Sequence, residues 1–341
     1  MSVATLPTPA ASRLRTPGLA FAAGFVALAV GAAALSGALP VPVAIATVFL
    51  FAGPHNWFEA RYALGRLPAR AGKLRGFFLV SLTGVVGLTA TYAAIPWLTE
   101  SYTTPAEVGT VYAVWNTAFV FWVATLVWMR SRTNPRFDAG WVWPTACLAC
   151  AGVWLSPIAL NVALVYVHPL MALWLLDREL TRSRPAWRPL YRAAAACVPV
   201  LLGLLWWHLS DAPDLPGRDQ LTGINTVAIV QHSGAWFLDG VSAHFLVAAH
   251  TFLEFVHYGV WVVLIPLVGM RGLPWELHTI PAARRSDSWR RGVSLVLLFG
   301  LGIVLVLWVC FGLDYDTTRR VYFSFAMLHV LAEVPFLLRM V

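Results

Sequence analysis

Three glutamates lie inside apolar stretches of the chain, and each has a histidine four residues before it. The pairs are His55–Glu59, His250–Glu254 and His329–Glu333. Four residues correspond to about 400° of rotation in an α-helix, so the members of each pair project from one face, one turn apart. Because ionisable groups cost free energy inside a membrane helix, such residues indicate a functional site in a chain that spans a bilayer.

The stretch Ser242–Trp261 extends one of these pairs. It is long and apolar enough to cross a bilayer, and it carries His257 three residues after Glu254. In a helix His257 falls about 20° from the face of His250. The Glu-x-x-His spacing is the one that inward-facing helices use in di-iron carboxylate bundles. His244 falls about 120° away from this face and is not predicted to belong to it.

A further histidine, His168, lies near the middle of another apolar stretch, two turns after Asn161 on a similar helical face. Side chains from four helices can therefore meet in one interior, and a bound metal is a physical reason to place them there. We predict one shared metal site built from this set. The predicted ligands are His55, Glu59, His168, His250, His257 and His329, and the predicted catalytic residues are Glu254 and Glu333.

Imidazole nitrogen and carboxylate oxygen without thiolate suit iron, manganese or zinc, and iron is the metal that we expect first. Two other roles are open for these residues. A glutamate one turn from a histidine can orient another helix's ligand, and any single pair can be a hydrogen-bonded contact between helices. The His55–Glu59 pair lies close to a basic loop and can serve a cytoplasmic entrance instead. His208 and His232, near the predicted outer boundary, are interpreted as interfacial residues.

The composition predicts the class of protein. The chain has 341 residues, of which 59% are hydrophobic and 12% charged, and its mean hydropathy is +0.70. Soluble domains carry about twice that charged fraction. We therefore predict an all-α, polytopic transmembrane bundle whose partner is the lipid bilayer. The net charge of +8 comes from Arg and Lys in short loops between apolar runs; that pattern orients membrane proteins, so nucleic-acid binding is not expected.

Ten apolar runs predict ten membrane helices, preceded by a disordered cytoplasmic tail at residues 1–16. The helices, which form a single domain over residues 17–341, cover about residues 18–39, 42–62, 76–98, 109–129, 141–155, 157–176, 193–209, 241–269, 293–313 and 321–341. If the N-terminus is cytoplasmic, the strongly basic loops lie on that side, so both termini are predicted to be cytoplasmic and the protein to lie in the plasma (inner) membrane. The second half of the connection 210–240, at residues 224–240, is apolar but broken by glycine, and it is predicted to re-enter the membrane or to lie along it.

Several sequence motifs with known mechanisms are absent. The chain contains no P-loop motif, no G-x-G-x-x-G after a strand and no H-E-x-x-H, so the chemistry of those motifs is not expected. The clustered histidine boxes of membrane desaturases are also missing. There is no repeated arginine helix of a voltage sensor and no filter sequence of a potassium channel, which argues against a channel.

The GPHN element at Gly53–Asn56, together with the helix histidines His168, His250, His257 and His329, resembles the bacterial Brp/Blh-type β-carotene dioxygenases. The Asn56-x-x-Glu59 portion departs from the pattern of that family. The resemblance implies a multi-pass protein with intramembrane histidine ligands for iron. It also implies an iron-dependent oxygenase of a lipid-soluble substrate.

The leading hypothesis is thus a membrane-embedded, metal-dependent oxygenase or oxidase, with non-haem iron and a hydrophobic small-molecule substrate. One alternative is a proton-coupled transporter in which buried Glu and His side chains carry protons. Another is a membrane protein that binds haem through two histidines on different helices. Bound metal, flux driven by a pH gradient and a Soret band distinguish the three.

Overall fold

The computed structural model describes residues 9–68, 72–99, 104–133, 138–270 and 273–340, with side chains from residue 17 onward except that of residue 105. Over these ranges the chain is all-α and forms no strand beyond a single bridge between Arg218 and Asn225. Nine helical stretches of the described chain are long and apolar enough to cross a membrane. The protein is a multi-pass α-helical membrane protein, as the composition predicts.

The described residues form thirteen α-helical segments, numbered in chain order. They are α1 Pro9–Ala38, α2 Pro40–Arg66, α3 Arg75–Leu98, α4 Pro105–Thr133, α5 Val142–Leu155, α6 Ala159–Ser183, α7 Arg188–Ala195, α8 Cys197–Leu209, α9 Val227–His232, α10 Ala243–Gly259, α11 Ile265–Gly269, α12 Asp287–Leu313 and α13 Tyr315–Met340. Segments α7 and α8 belong to one apolar stretch, and a π-helical turn at Val260–Leu264 joins α10 to α11.

All ten predicted helices are present, and most extend beyond their apolar runs. The last helix begins at Tyr315 rather than near residue 321, because Asp314 caps it by accepting a 3.0 Å hydrogen bond from the backbone N–H of Thr317. Hydrogen bonds from Thr317 also lower the pKa of Asp314. By contrast α5 has only 14 residues, which gives about 21 Å of helix, less than the roughly 30 Å hydrocarbon core.

The predicted tail falls partly outside the described residues, which begin at Pro9. From there the chain is already helical, so α1 includes the second half of residues 1–16. The sequence AASRLR supplies good helix formers at these positions, and their intrinsic preference explains the early start.

The chain comprises two compact units, and the single domain over residues 17–341 stays a prediction. The first unit comprises Met1–Tyr62 and Val165–Pro274, and the second comprises Ala63–Leu164 and Trp275–Val341. In the first unit, α10 is the most buried of the spanning helices. In the second, α3, α4 and α13 share an aromatic core that includes Trp115 stacked on Phe119 with ring centroids 5.7 Å apart.

The long connection before α10 is folded against the first unit. Asp214 accepts a 2.9 Å hydrogen bond from the N–H of Ala243, which satisfies one of the backbone donors at the start of α10. Within the connection, α9 packs through Ile229 against Val41 of α2 and Val247 of α10. This packing places the end of α9, and therefore His232, beside α10.

Candidate metal centres

Helix α10 supplies the central polar side chains of the first unit. Its residues His250, Glu254 and His257 are all buried. The π-helical turn that follows at Val260–Leu264 inserts an extra residue into the helical repeat, and such turns are frequent at functional sites. The predicted polar face of His250, Glu254 and His257 is therefore buried. It lies just before the π-helical turn, on the most buried spanning helix.

Three histidines from three helices form what we call the three-histidine cluster: His55 on α2, His168 on α6 and His257 on α10. The ring centroid of His257 lies 5.4 Å from that of His55 and 4.8 Å from that of His168. Ring nitrogens of His55 and His257 lie within 4.8 Å of each other. His257 is thus the member that contacts both others.

Hydrogen bonds to the backbone fix the tautomer of two of these rings. Nδ1 of His55 lies 3.0 Å from the carbonyl oxygen of Phe51, and Nδ1 of His257 lies 3.3 Å from that of Pro169. A carbonyl oxygen only accepts, so each Nδ1 carries a proton and donates it. In the neutral ring Nε2 then carries the lone pair, which is how ligating histidines are oriented in metal sites.

A proline adjoins two members of the three-histidine cluster in sequence. Pro54 precedes His55 inside α2, and Pro169 follows His168 inside α6. A proline within a helix removes a backbone hydrogen bond and bends the helix. The sequence predicts that such a kink directs His55 inward, and His55 is buried.

A second group, the two-histidine–glutamate cluster, comprises His232, His250 and Glu254. One donor atom from each lies within 4.8 Å of the other two. Nδ1 of His250 is 3.7 Å from Oε2 of Glu254, and the rings of His232 and His250 have centroids 5.0 Å apart. His232 is half-buried and the other two are buried.

Tyr166 of α6 contacts the ring of His250 and the backbone next to His232. Its ring meets that of His250 edge-on, with centroids 6.1 Å apart. Its hydroxyl donates a 2.8 Å hydrogen bond to the carbonyl oxygen of Ser233 and lies 3.3 Å from that of Leu246. Tyr166 therefore ties the end of α9 to α10 at the point where His232 approaches His250.

The described residues of the first unit thus carry two groups where the sequence predicts one shared site. Donor atoms of His250 and Glu254 lie close to one of His232, whereas the ring of His257 contacts the rings of His55 and His168. Seven residues along a helix separate His250 from His257 by about 10.5 Å, although their side chains share a face. His232, which is interpreted from the sequence as an interfacial residue, is half-buried and contacts His250 because α9 packs against α10.

Three predicted site residues remain: Glu59, His329 and Glu333. Glu59 is buried one turn after His55, but among the described residues it belongs to neither group. His329 and Glu333 lie on α13 in the second unit, where Glu333 is buried and His329 half-buried. That they share the chemistry of the first-unit histidines stays a prediction.

The sequence missed a buried polar pair near the ends of α2 and α6. The predicted helix ends at about residue 176, but α6 runs on to Ser183 and buries Glu179. Oε2 of Glu179 accepts a 2.5 Å hydrogen bond from the hydroxyl of Tyr62. Nearby, Arg61 is buried and donates from Nε to the carbonyl oxygen of Pro274.

Comparison of the chain with protein-family models, with curated proteins and with solved structures finds no match. The resemblance to the Brp/Blh-type family stays a prediction from the motifs.

Proposed function

We propose that the protein is a metal-dependent membrane oxidoreductase that acts on a lipid-soluble substrate, with its metal in the three-histidine cluster. The observation that carries the proposal is the position of His257, whose ring lies 5.4 Å from that of His55 and 4.8 Å from that of His168. Three imidazoles from three separate helices converge in an apolar interior, where polar groups are rare and functional.

The donor set fits a first-row transition metal. Imidazole nitrogens suit iron and zinc, and the cluster contains no thiolate that would select copper(I). Nitrogens bound to one metal at about 2.0–2.1 Å lie about 3.4 Å apart in tetrahedral geometry. Ring nitrogens of His55 and His257 lie within 4.8 Å of each other, so a side-chain adjustment of about 1 Å brings them to a common ion.

Iron is the metal that we propose, and when bound it supplies the activation of O₂. The chain supplies the ligands, their orientation and an apolar wall. Phe51 and Phe255 contact each other with ring centroids 6.3 Å apart, and the ring of Tyr258 lies 4.4 Å from that of His55. These aromatic rings place an apolar surface directly beside a ligand, as a lipid-soluble substrate requires. The basic loops favour an orientation with both termini on the cytoplasmic side, and we propose the plasma membrane as the location.

The test is iron binding and O₂ uptake by the purified full chain in lipid nanodiscs that contain β-carotene as the probe substrate. We expect His55→Asn and His257→Asn to lower iron affinity by about 10-fold or more and to abolish β-carotene-dependent O₂ uptake. The matched control is His208→Asn, because His208 is an exposed residue of α8. Unchanged iron affinity in both cluster variants contradicts the proposal, and proton-driven flux without metal would favour the transporter.

A further inference from the structure

We propose that His232, His250 and Glu254 form a second site, which binds a divalent transition-metal cation and fastens the connection before α10 to that helix. The proposal is independent of the oxidoreductase activity, because none of these residues belongs to the three-histidine cluster. The sequence separates His232 from His250 by an entire connection and the start of α10. The fold nevertheless brings one donor atom each from His232, His250 and Glu254 within 4.8 Å of one another.

The geometry is close to that of a coordinated ion. Donors about 2.0–2.2 Å from one metal lie about 3.4 Å apart in tetrahedral geometry. The 3.7 Å between His250 Nδ1 and Glu254 Oε2 is close to that spacing and longer than an ordinary hydrogen bond. His250 and Glu254 are set one turn apart by α10 itself, so only the third donor has to approach.

That third donor comes from a short, adjustable element. His232 is the last residue of α9, which is six residues long, and its ring centroid is 5.0 Å from that of His250. The two rings are inclined at 77° and do not stack, and one donor atom of each lies within 4.8 Å of the other. Tyr166 limits the approach by holding Ser233, the next residue, through a 2.8 Å hydrogen bond.

The donor chemistry selects the class of ion. Two imidazole nitrogens and one carboxylate oxygen form the set found in zinc hydrolases and in non-haem iron(II) enzymes. Calcium and magnesium prefer oxygen ligands throughout, so they are poor occupants. A bound dication also offsets the charge of Glu254, a carboxylate buried within a membrane-spanning helix, where an ionised group is otherwise costly.

A cation bound at this site would fasten the connection before α10 to that helix. The connection is held to the start of α10 by the Asp214–Ala243 hydrogen bond at 2.9 Å and to its body by the apolar contacts of Ile229. A cation between His232 and α10 adds a further attachment. Because α10 also carries His257, this cation fixes the helix that presents a ligand to the three-histidine cluster.

The test is a count of bound cations on purified full-length protein, stripped with chelator and titrated with Co²⁺, whose absorption spectrum reports nitrogen and oxygen ligands. We expect wild type to bind about two cations per chain, and His232→Asn and Glu254→Gln each about one fewer. The matched control is His244→Asn, which alters α10 at a half-buried histidine outside both clusters and should keep the wild-type count.

Two results of the cation count overturn the second site. The first is that His232→Asn keeps the wild-type count, because His232 is then not a ligand. The second is that wild type binds two cations and His232→Asn binds none, because the two groups then do not bind separately. If wild type binds one cation and His232→Asn binds none, the result supports this site and refutes metal binding by the three-histidine cluster. Limited proteolysis of the connection provides a second readout for any variant that folds poorly. Zn²⁺ should protect the wild-type connection and leave that of His232→Asn unprotected, and equal protection in the two proteins also overturns the proposal. Failure of the His55 and His257 variants to lose iron would refute the oxidoreductase proposal alone.

Discussion

His250 and His257 lie seven residues apart on α10, yet their side chains contact different histidines. The ring of His250 lies 5.0 Å from that of His232, and the ring of His257 lies 4.8 Å from that of His168. The helical rise separates the two positions by about 10.5 Å, and each ring has a different histidine as its neighbour. The same helical face therefore serves two candidate centres, one above the other.

Removing the hydroxyl of Tyr166 should weaken the second centre selectively. Tyr166→Phe deletes the hydrogen bond to Ser233, so the end of α9 is less firmly held beside α10. We expect the cation affinity of the two-histidine–glutamate cluster to fall about 10–100-fold, as for other outer-shell partners of metal ligands. Isothermal titration with Zn²⁺ measures this. An unchanged affinity would show that Tyr166 does not position His232.

Removing the hydroxyl of Tyr62 should destabilise the fold. Tyr62→Phe deletes the donor of the 2.5 Å hydrogen bond to the buried Glu179, and the loss of a bond to a buried carboxylate costs about 1–3 kcal/mol. Denaturant unfolding in detergent measures the change. In the double variant with Glu179→Gln the two effects should not add; full additivity would mean that the pair is not coupled.

Glycine at position 84 is required by a close approach of α3 and α4. A Cβ there would lie 1.8 Å from Nε1 of Trp122, an indole that is itself fixed by its 3.0 Å hydrogen bond to the carbonyl oxygen of Val80. We expect Gly84→Ala to cost about 1–3 kcal/mol by overpacking. Thermal unfolding measures the loss.

The same helix provides the control for that substitution. No atom lies within 4 Å of a Cβ built at Gly87, one turn further along α3. Gly87→Ala should be neutral or stabilise the helix by up to about 1 kcal/mol, because alanine is the better helix former. Equal losses from both substitutions would show that the Trp122 contact is not the cause.

The spanning helices could be predicted because their signal is local. Apolar runs long enough for a bilayer mark nearly every one of them, and the inward direction of His55, Glu254 and His257 follows from the cost of charge in hydrocarbon. The C-terminal end of α6 could not be predicted from its apolar run. Glu179 follows the charged pair Asp177 and Arg178, which resembles a loop, and only its tertiary contact with Tyr62 explains why the helix continues.

The division into two centres could not be predicted because it depends on the partner of each histidine. Helical spacing places His250 and His257 on one face, but it does not give the axial level at which another element meets them. The partner of His250 comes from α9, a six-residue helix too short for its periodicity to be recognised. The available sequence signal for α9 was the apolar pattern Val227–Val230, followed by His232 and by a glycine at 234.

The most direct test is to locate the bound metals by anomalous diffraction from crystals of the full chain soaked with Zn²⁺. The two-centre account predicts two separate peaks beside α10, one at His232, His250 and Glu254 and one at His257, about 10 Å apart according to the helical rise. A single peak that contacts both His250 and His257, or the absence of any peak at these residues, would contradict it.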